Sequence, residues 1–131
     1  MRTMKTVVAA YCYLGKGSDH KVVLISSTTG RWIIPKGQTE KKHHKRAVAL
    51  MEAWEEAGIM GKVTGKSRSF IIDRGGKAKW VIFPVKVKAL EDDWPERKLR
   101  KRCMVSPKEA VKRIDNADLG TTVAALAKIY A

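Results

Sequence analysis

The chain contains few cysteines and histidines. Its two cysteines, Cys12 and Cys103, are far apart and form no CxxC pair, and its three histidines (His20, His43 and His44) provide no separated zinc-binding pair. Neither a disulfide framework nor a zinc site is therefore indicated. We expect both thiols to be reduced and the protein to be cytoplasmic.

The sequence also lacks long apolar runs. No stretch reaches the roughly 20 apolar residues of a membrane-spanning helix, so the sequence predicts a soluble protein. Residues 1–14 superficially resemble a signal peptide, because basic residues precede an apolar run. That run is short, includes Tyr11 and Tyr13, and leads directly into a Gly-Lys-Gly-Ser-Asp turn. We expect it to form the first strand.

Repeats, low-complexity segments and linkers are absent as well. A chain of 131 residues has the length of one domain. At this length it can bury roughly two-thirds of its unfolded surface and fold without disulfides or metals. We therefore expect one domain over residues 1–131.

Acidic residues are scarce, since 13 Asp and Glu stand against 27 Lys and Arg and give a formal net charge of +14. A field of this sign gathers polyanions at low salt, although a solubilising surface or non-specific nucleic-acid binding explains the total charge equally well. The basic residues concentrate in residues 41–46, 74–79 and 97–102, whereas three glutamates stand together at Glu52, Glu55 and Glu56. This local acidity needs its own explanation.

The order of the predicted elements indicates the fold class. Val, Ile and aromatic residues predict strands at residues 5–14, 21–27, 32–34, 66–72, 78–88 and 99–105. Pro84 suggests a bulge or an edge position in its strand. Helices are predicted at about 42–57, from a capping sequence at Ser106 to about 114, and at about 118–130. This order predicts an α/β sandwich with a mixed sheet.

The first predicted helix has an apolar and an acidic face. Its apolar stripe consists of Ala47, Leu50, Met51 and Trp54, and Gly58 is a suitable stop. The three glutamates share the opposite face, so we expect them to point away from the core and towards one another. Magnesium would relieve their repulsion, because it binds through carboxylates and substrate phosphates. On spacing alone, a solvated acidic helix face is an equal alternative.

The residues around the glutamates resemble the Nudix box, in which G, five residues, E and seven residues precede R-E-U-x-E-E-x-G-U, with U apolar. The positions that match at the required spacing are Gly37, Glu52, Ala53, Glu55, Glu56, Gly58 and Ile59. Residues 31–37 (RWIIPKG), 93–94 (DW), 100–102 (RKR) and 106–114 resemble segments of diphosphoinositol polyphosphate phosphohydrolases. The chain is thus similar to MutT-like Nudix hydrolases over roughly residues 5–115. The resemblance implies a Nudix-type α/β/α sandwich.

The resemblance also implies a role for the acidic helix. By it, Glu52, Glu55 and Glu56 are ligands of Mg²⁺, with Mn²⁺ as an alternative ion, and the Gly37 carbonyl is a further candidate ligand. The implied reaction is attack of a metal-activated water on a phosphorus of a P–O–P bridge. One of the three glutamates would act as the base.

Three positions depart from the family pattern. His43 replaces the first Glu of the box, Met51 replaces the arginine that in the family holds the glutamates through paired hydrogen bonds, and Cys103 replaces a Glu of the subfamily. A thioether cannot make those hydrogen bonds. Loss of such support commonly costs ~10–100-fold in metal affinity or activity, so the sequence predicts a slow enzyme rather than an inactive one. Glu40 matches another acidic position of the subfamily and is expected to compensate in part.

The basic residues favour a strongly anionic substrate, because arginine and lysine side chains bind phosphate. The residues predicted to line its site are Arg31, Lys36, His43, Arg74, Lys77, Lys79, Arg100 and Arg102. Each of them alone is explained as well by a generally basic surface. As a group they favour inositol pyrophosphate, a dinucleoside polyphosphate or the 5′ end of an RNA as the partner of a monomer or homodimer.

Three functions are therefore compared. The first is a magnesium-dependent hydrolase of diphosphate bonds. The alternatives are a catalytically weak or inactive Nudix-fold module that binds RNA or polyphosphate, and an RNA 5′-pyrophosphohydrolase. Metal-dependent cleavage distinguishes the enzymes from a binding module, which would retain RNA without metal.

Overall fold

The computed structural model describes residues 4–38 and 44–131 of the chain. Glu40 and His43, to which the sequence assigns roles at the site, lie outside these ranges. The elements within them are β1 (Lys5–Leu14), β2 (Lys21–Ser26), β3 (Trp32–Ile33), β4 (Lys36–Gln38), α1 (Lys45–Ala57), β5 (Ile59–Val63), β6 (Arg68–Asp73), β7 (Lys77–Leu90), β8 (Arg102–Val105), α2 (Pro107–Arg113) and α3 (Ala117–Tyr130).

The strands form one mixed sheet. Its main order is β3-β2-β1-β7-β5, with β4 paired to β1, β8 to β2 and β6 to β7. β1 and β7 run parallel, whereas the other pairs are antiparallel. The predicted α/β class with a mixed sheet is therefore confirmed.

Strand alternation places helices on both faces of the sheet. Gly37 opposes Val8 across the β1–β4 pair and lies against Glu52 of α1, so Val8 and the residues that share its face point to α1. Tyr11 has the opposite parity, and its ring centroid lies 6.0 Å from that of Tyr130 in α3. The sheet is thus covered by α1 on one face and by α3 on the other. No helix in the part of the chain that is described is both long enough and apolar enough to cross a membrane.

β7 is a central strand, although Pro84 had suggested a bulge or an edge. β6 pairs with β7 as far as Ile82, β5 pairs with it from Val85, and β1 pairs along its other side. Pro84 lies at the junction between β6 and β5, where its missing amide donor interrupts neither of those two ladders. The expectation of an edge position or a bulge at Pro84 is therefore wrong.

The two C-terminal helices begin as the sequence predicts. The side chains of Ser106 and Asn116 accept hydrogen bonds from the amides of Glu109 and Leu119, at 3.1 and 2.9 Å. These bonds satisfy amide groups that the helix itself leaves without partners. The predicted inner stripe of α3 is confirmed by the buried residues Leu119, Val123 and Leu126.

α1 buries a different face from the one predicted. Its buried apolar residues are the small ones, Val48, Ala49, Ala53 and Ala57, and Glu56 lies among them with 5% of its surface exposed. Met51, which the predicted core stripe includes, is 46% exposed. Small side chains let the helix backbone approach the sheet closely, which brings the glutamates next to it. The prediction that all three glutamates point away from the core is therefore wrong for Glu56.

Gly58 ends α1 in the left-handed conformation, with φ of +66°, as predicted. We expect Gly58→Ala to lower the free energy of unfolding by about 2 kcal/mol, because a Cβ is strained in this conformation. The added Cβ would also lie 2.9 Å from the Trp94 ring. Urea denaturation measures the loss.

Gly75→Ala is the matched control, because Gly75 has φ of +70° and no atom within 4 Å of an added Cβ. It isolates the backbone strain from the contact with Trp94. Equal losses for the two variants would contradict a contribution from Trp94.

Candidate metal and phosphate site

A pair of carboxyl groups from α1 lies against β4. The carboxyl groups of Glu52 and Glu56 lie close enough for a hydrogen bond between them to shift the pKa of each. A Cβ on Gly37 would lie 2.6 Å from Cδ of Glu52, so only glycine allows this approach of strand and carboxylate. Glu55, the third predicted ligand, is half-buried beside this pair. Burial raises the pKa of Glu52, the hydrogen bond with Glu56 lowers it, and the charge of Glu55 raises it again.

Glu56 is held from two directions. Its Oε1 accepts a 2.9 Å hydrogen bond from the amide of Lys36, and its Oε2 lies 3.5 Å from Nη2 of Arg100. Burial, together with the hydrogen bond to Glu52, raises the pKa of Glu56 to about 8, although the Lys36 amide and Arg100 both act to lower it. The metal-free pair therefore holds a proton at neutral pH.

This donor set fits a hard divalent cation. Two carboxyl groups in contact and largely out of water repel each other unless a proton or a cation lies between them. Across residues 4–38 and 44–131, no three His, Cys, Asp or Glu side chains converge as a complete metal centre. Magnesium commonly binds one or two carboxylates and takes its remaining ligands from water and substrate phosphates. Glu52 and Glu56 supply two such carboxylates.

A basic cavity of about 470 Å³ lies across the sheet from the carboxyl pair, because Lys36, which lines it, pairs with Ala9 on the sheet face of Tyr11. Lys36 connects the two, because its amide binds Glu56 while its side chain lines the cavity with those of Lys5, Arg74 and Lys77. No acidic side chain is among the described residues that line it. Burial, and after it the charge of Arg74, lowers the pKa of Lys36, which is the effect expected of cations gathered without an anion.

A second cavity, of about 450 Å³, continues from the first. Arg74 lines both, and the second cavity adds Arg31, Trp32, Asp73 and Asn116. Burial and the charge of Arg31 lower the pKa of Arg74, so the two guanidinium groups are electrostatic neighbours. An extended polyanion that passes Arg74 would therefore meet cations on both sides.

The other basic residues predicted at the site lie elsewhere. Lys79 is exposed, and strand alternation directs it to the face opposite its neighbour Trp80. Arg102 lies 4.3 Å from the Trp94 ring centroid and donates 2.8 Å hydrogen bonds to the carbonyls of Ala57 and Glu91. The structure thus brings Arg31, Lys36 and Arg74 to the cavities, Arg100 to Glu56, and neither Lys79 nor Arg102 to this group.

Several site residues were not anticipated from the sequence. Lys5 reaches the first cavity because it lies opposite Ala78 in the parallel β1–β7 pair, next to Lys77. Glu96 reaches α1 from the segment between β7 and β8, where a 2.8 Å ion pair joins it to Arg100, which the sequence predicts as a substrate-binding residue. No local pattern in the sequence indicates these contacts, because each depends on strand register or on the path of a loop.

Comparison with known proteins gives sequence relatives and structural neighbours. No protein-family model matches the chain. Human diphosphoinositol polyphosphate phosphohydrolase 3-alpha is 30% identical over 112 residues, which are 82% of this chain and 68% of that protein. The mouse protein of the same name is 31% identical over 94 residues, 70% of this chain, so the match spans just over half of that relative, 57% of its length.

Two solved structures share the fold at low sequence identity. A NUDIX hydrolase from Nitrosomonas europaea has a TM-score of 0.79 at 14% identity, covering 98% of this chain and 91% of that one. The C. elegans Ap4A hydrolase has a TM-score of 0.75 at 16% identity, covering 97% and 98%. Three findings agree on the family of this chain. They are the sheet with helices on both faces, the position of Gly37 against Glu52, and the 30% identity with the human relative. The chain therefore belongs to the Nudix hydrolase family.

Proposed function

We propose that this chain is a Mg²⁺-dependent pyrophosphohydrolase that cleaves a P–O–P bond in a highly anionic substrate. The observation that carries this proposal is the contact between the Glu52 and Glu56 carboxyls, which Lys36 links to a cavity lined by four cationic residues. The relatives are named for diphosphoinositol polyphosphate and the structural neighbour for Ap4A. Substrates of both kinds carry the dense negative charge that such a cavity favours.

Each group has a defined part in the proposed reaction. Glu52 and Glu56 hold the ion, with Glu55 and the Gly37 carbonyl as further candidate ligands. The ion supplies neutralisation of charge on the phosphoryl oxygens and a lowered pKa for water. The Lys36 amide orients Glu56. Mn²⁺ is expected to replace Mg²⁺, because both accept carboxylate oxygens.

The cationic side chains bind and orient the substrate. Lys5, Lys36, Arg74 and Lys77 bind its non-reacting phosphates, and Arg31 extends this binding into the second cavity. Positioning of this kind contributes most of the protein's share in phosphoryl transfer. Glu55, which stays outside the hydrogen bond between Glu52 and Glu56, is the glutamate left to accept a proton from the attacking water.

A substrate panel tests the proposal. The protein is incubated with Mg²⁺ and with diphosphoinositol polyphosphate, diadenosine polyphosphates, ADP-ribose, nucleoside triphosphates or 5′-triphosphorylated RNA, and products are separated by anion-exchange chromatography. We expect cleavage of at least one of the first two classes, lost when EDTA removes the metal. Cleavage of the RNA alone would instead identify an RNA 5′-pyrophosphohydrolase.

A binding module without turnover is the second candidate, and the net charge of +14 and the exposed Met51 favour it. In that case no member of the panel is cleaved, and RNA or polyphosphate binds equally well in EDTA. A cytoplasmic location is also part of the proposal, supported by the free thiols of Cys12 and Cys103.

A further inference from the structure

The guanidinium of Arg100 is fixed on three sides. Its Nε donates a 2.8 Å hydrogen bond to Oε1 of Glu96, its Nη1 donates a 3.0 Å hydrogen bond to the carbonyl of Ser26, and its Nη2 lies 3.5 Å from Oε2 of Glu56. Only 12% of the side chain is exposed. Arg100 is therefore part of the packed structure around α1, in contrast to a mobile surface arginine.

The loop that carries Arg100 is itself joined to α1. The amide of Glu96 donates a 3.0 Å hydrogen bond to the carbonyl of Glu55, and the indole of Trp94 donates one of 3.1 Å to the carbonyl of Glu56. Arg100 is thus held against the helix through its partner Glu96 and against β2 through Ser26. Its position relative to Glu56 is set by several independent contacts.

Among the described residues, no lysine or arginine of α1 forms an ion pair with Glu56. Met51, where the box pattern has arginine, is 46% exposed and lines an apolar groove with Leu50, Trp54 and Met60. On a helix of 100° per residue, positions 51 and 56 point about 140° apart. A side chain at position 51 is therefore on the wrong side of α1 to orient the buried carboxylate of Glu56.

We propose that Arg100 is a positioning residue that orients Glu56 for the divalent cation from the loop before β8. This inference rests on the proposed function. The Lys36 amide and Arg100 each engage one oxygen of Glu56, which leaves further lone pairs free for a cation. Magnesium demands near-ideal octahedral geometry, so a carboxylate fixed at both oxygens binds it better than a mobile one.

The test measures metal affinity without turnover. Mn²⁺ binding to the substrate-free protein is followed by electron paramagnetic resonance and by calorimetry, for the unchanged chain and for Arg100→Met. We expect Arg100→Met to weaken Mn²⁺ binding by ~10–100-fold. Simple electrostatics predicts the opposite sign, because removal of a nearby positive charge favours a cation. Unchanged or tighter Mn²⁺ binding by the folded variant would overturn the proposal.

Matched variants separate positioning from charge and from folding. Arg97→Met removes the same charge from the same loop. Within residues 4–38 and 44–131 the one ion pair of Arg97 is an exposed 3.7 Å contact with Asp93, so we expect the Mn²⁺ affinity of this variant to stay unchanged. Arg100→Lys keeps the positive charge but lacks the planar guanidinium, so we expect its Mn²⁺ affinity to lie between those of the unchanged chain and Arg100→Met. Arg100→Gln keeps a side-chain N–H that can donate to the Ser26 carbonyl. It replaces Arg100→Met in the Mn²⁺-binding measurement if Arg100→Met does not fold.

Met51→Arg completes the design. We expect it to leave Mn²⁺ affinity essentially unchanged, because Arg100 already orients Glu56; a gain of about tenfold or more would show that the helix position was the missing support and would overturn the proposal. If the unchanged protein binds no Mn²⁺ even with a polyphosphate present, the proposed function itself fails. If it binds Mn²⁺ and Arg100→Met binds it equally well, only the role of Arg100 fails.

Discussion

Glu56→Gln is expected to abolish metal binding and to lower turnover by about three orders of magnitude, while the metal-free protein becomes more stable near pH 8. An amide offers the cation no charged oxygen, and a catalytic metal contributes several kcal/mol at about 1.4 kcal/mol per tenfold in rate. The opposite effect on stability follows from burial. Glu56 is 5% exposed, and burial is the largest cause of its raised pKa, so a neutral glutamine costs less to bury than the charged carboxylate.

Turnover, Mg²⁺ titration and urea denaturation measure the three effects on the same preparation. Glu109→Gln is the control, because it makes the same chemical change in α2 at a partly exposed 2.8 Å ion pair with Arg113. We expect it to leave turnover intact and to change the free energy of unfolding little, because exposed ion pairs contribute little to stability. Full turnover by Glu56→Gln would remove Glu56 from the proposed site. Loss of turnover together with loss of stability would make its role structural.

The metal-free protein is expected to lose stability as pH rises between the two pKa values of Glu56. In the unfolded chain the carboxyl has its ordinary pKa of 4.5, and in the folded chain its pKa is about 8. Between these values the folded state keeps a proton that the unfolded state has released, so the free energy of unfolding falls with rising pH. The decline is complete above the folded pKa and amounts to on the order of 5 kcal/mol. The raised pKa of Glu52 acts in the same direction.

Urea denaturation in EDTA across this pH range gives the profile. Saturating Mg²⁺ should remove the decline, because the cation replaces the shared proton and stabilises only the folded state. Glu56→Gln should flatten the profile in EDTA as well. A free energy of unfolding that rises with pH in EDTA, for the unchanged chain and for Glu56→Gln alike, would contradict the shared proton between Glu52 and Glu56.

Most of the long elements could be predicted from local sequence. The alternating and β-branched residues of β1 and β2, the capping sequence at Ser106 and the stop at Gly58 each carry a local physical signal, and each lies where that signal places it. β4 and β5 were missed. Both are short and contain a glycine, so their strand conformation comes from pairing with β1 and β7 rather than from their own residues.

The inner face of α1 shows the limit of helical periodicity. The stripe from Ala47 to Trp54 is the more apolar one, yet the helix buries Glu56 together with the small residues Val48, Ala49, Ala53 and Ala57. Burial of a carboxylate is tolerable only with partners, and here these are the Lys36 amide, Arg100 and Glu52. Two of the three belong to other elements, so the sequence of the helix does not show them.

The sequence by itself determined the family, the spacing of Gly37 from the glutamates and the surplus of positive charge, since motif spacing and composition are local properties of the chain. Only the tertiary structure decided which carboxyl groups meet, which cations share a cavity and that Arg100 reaches Glu56. Those contacts join residues from distant parts of the chain, and they form through strand register and loop path. Neither of these leaves a periodic signal in the sequence.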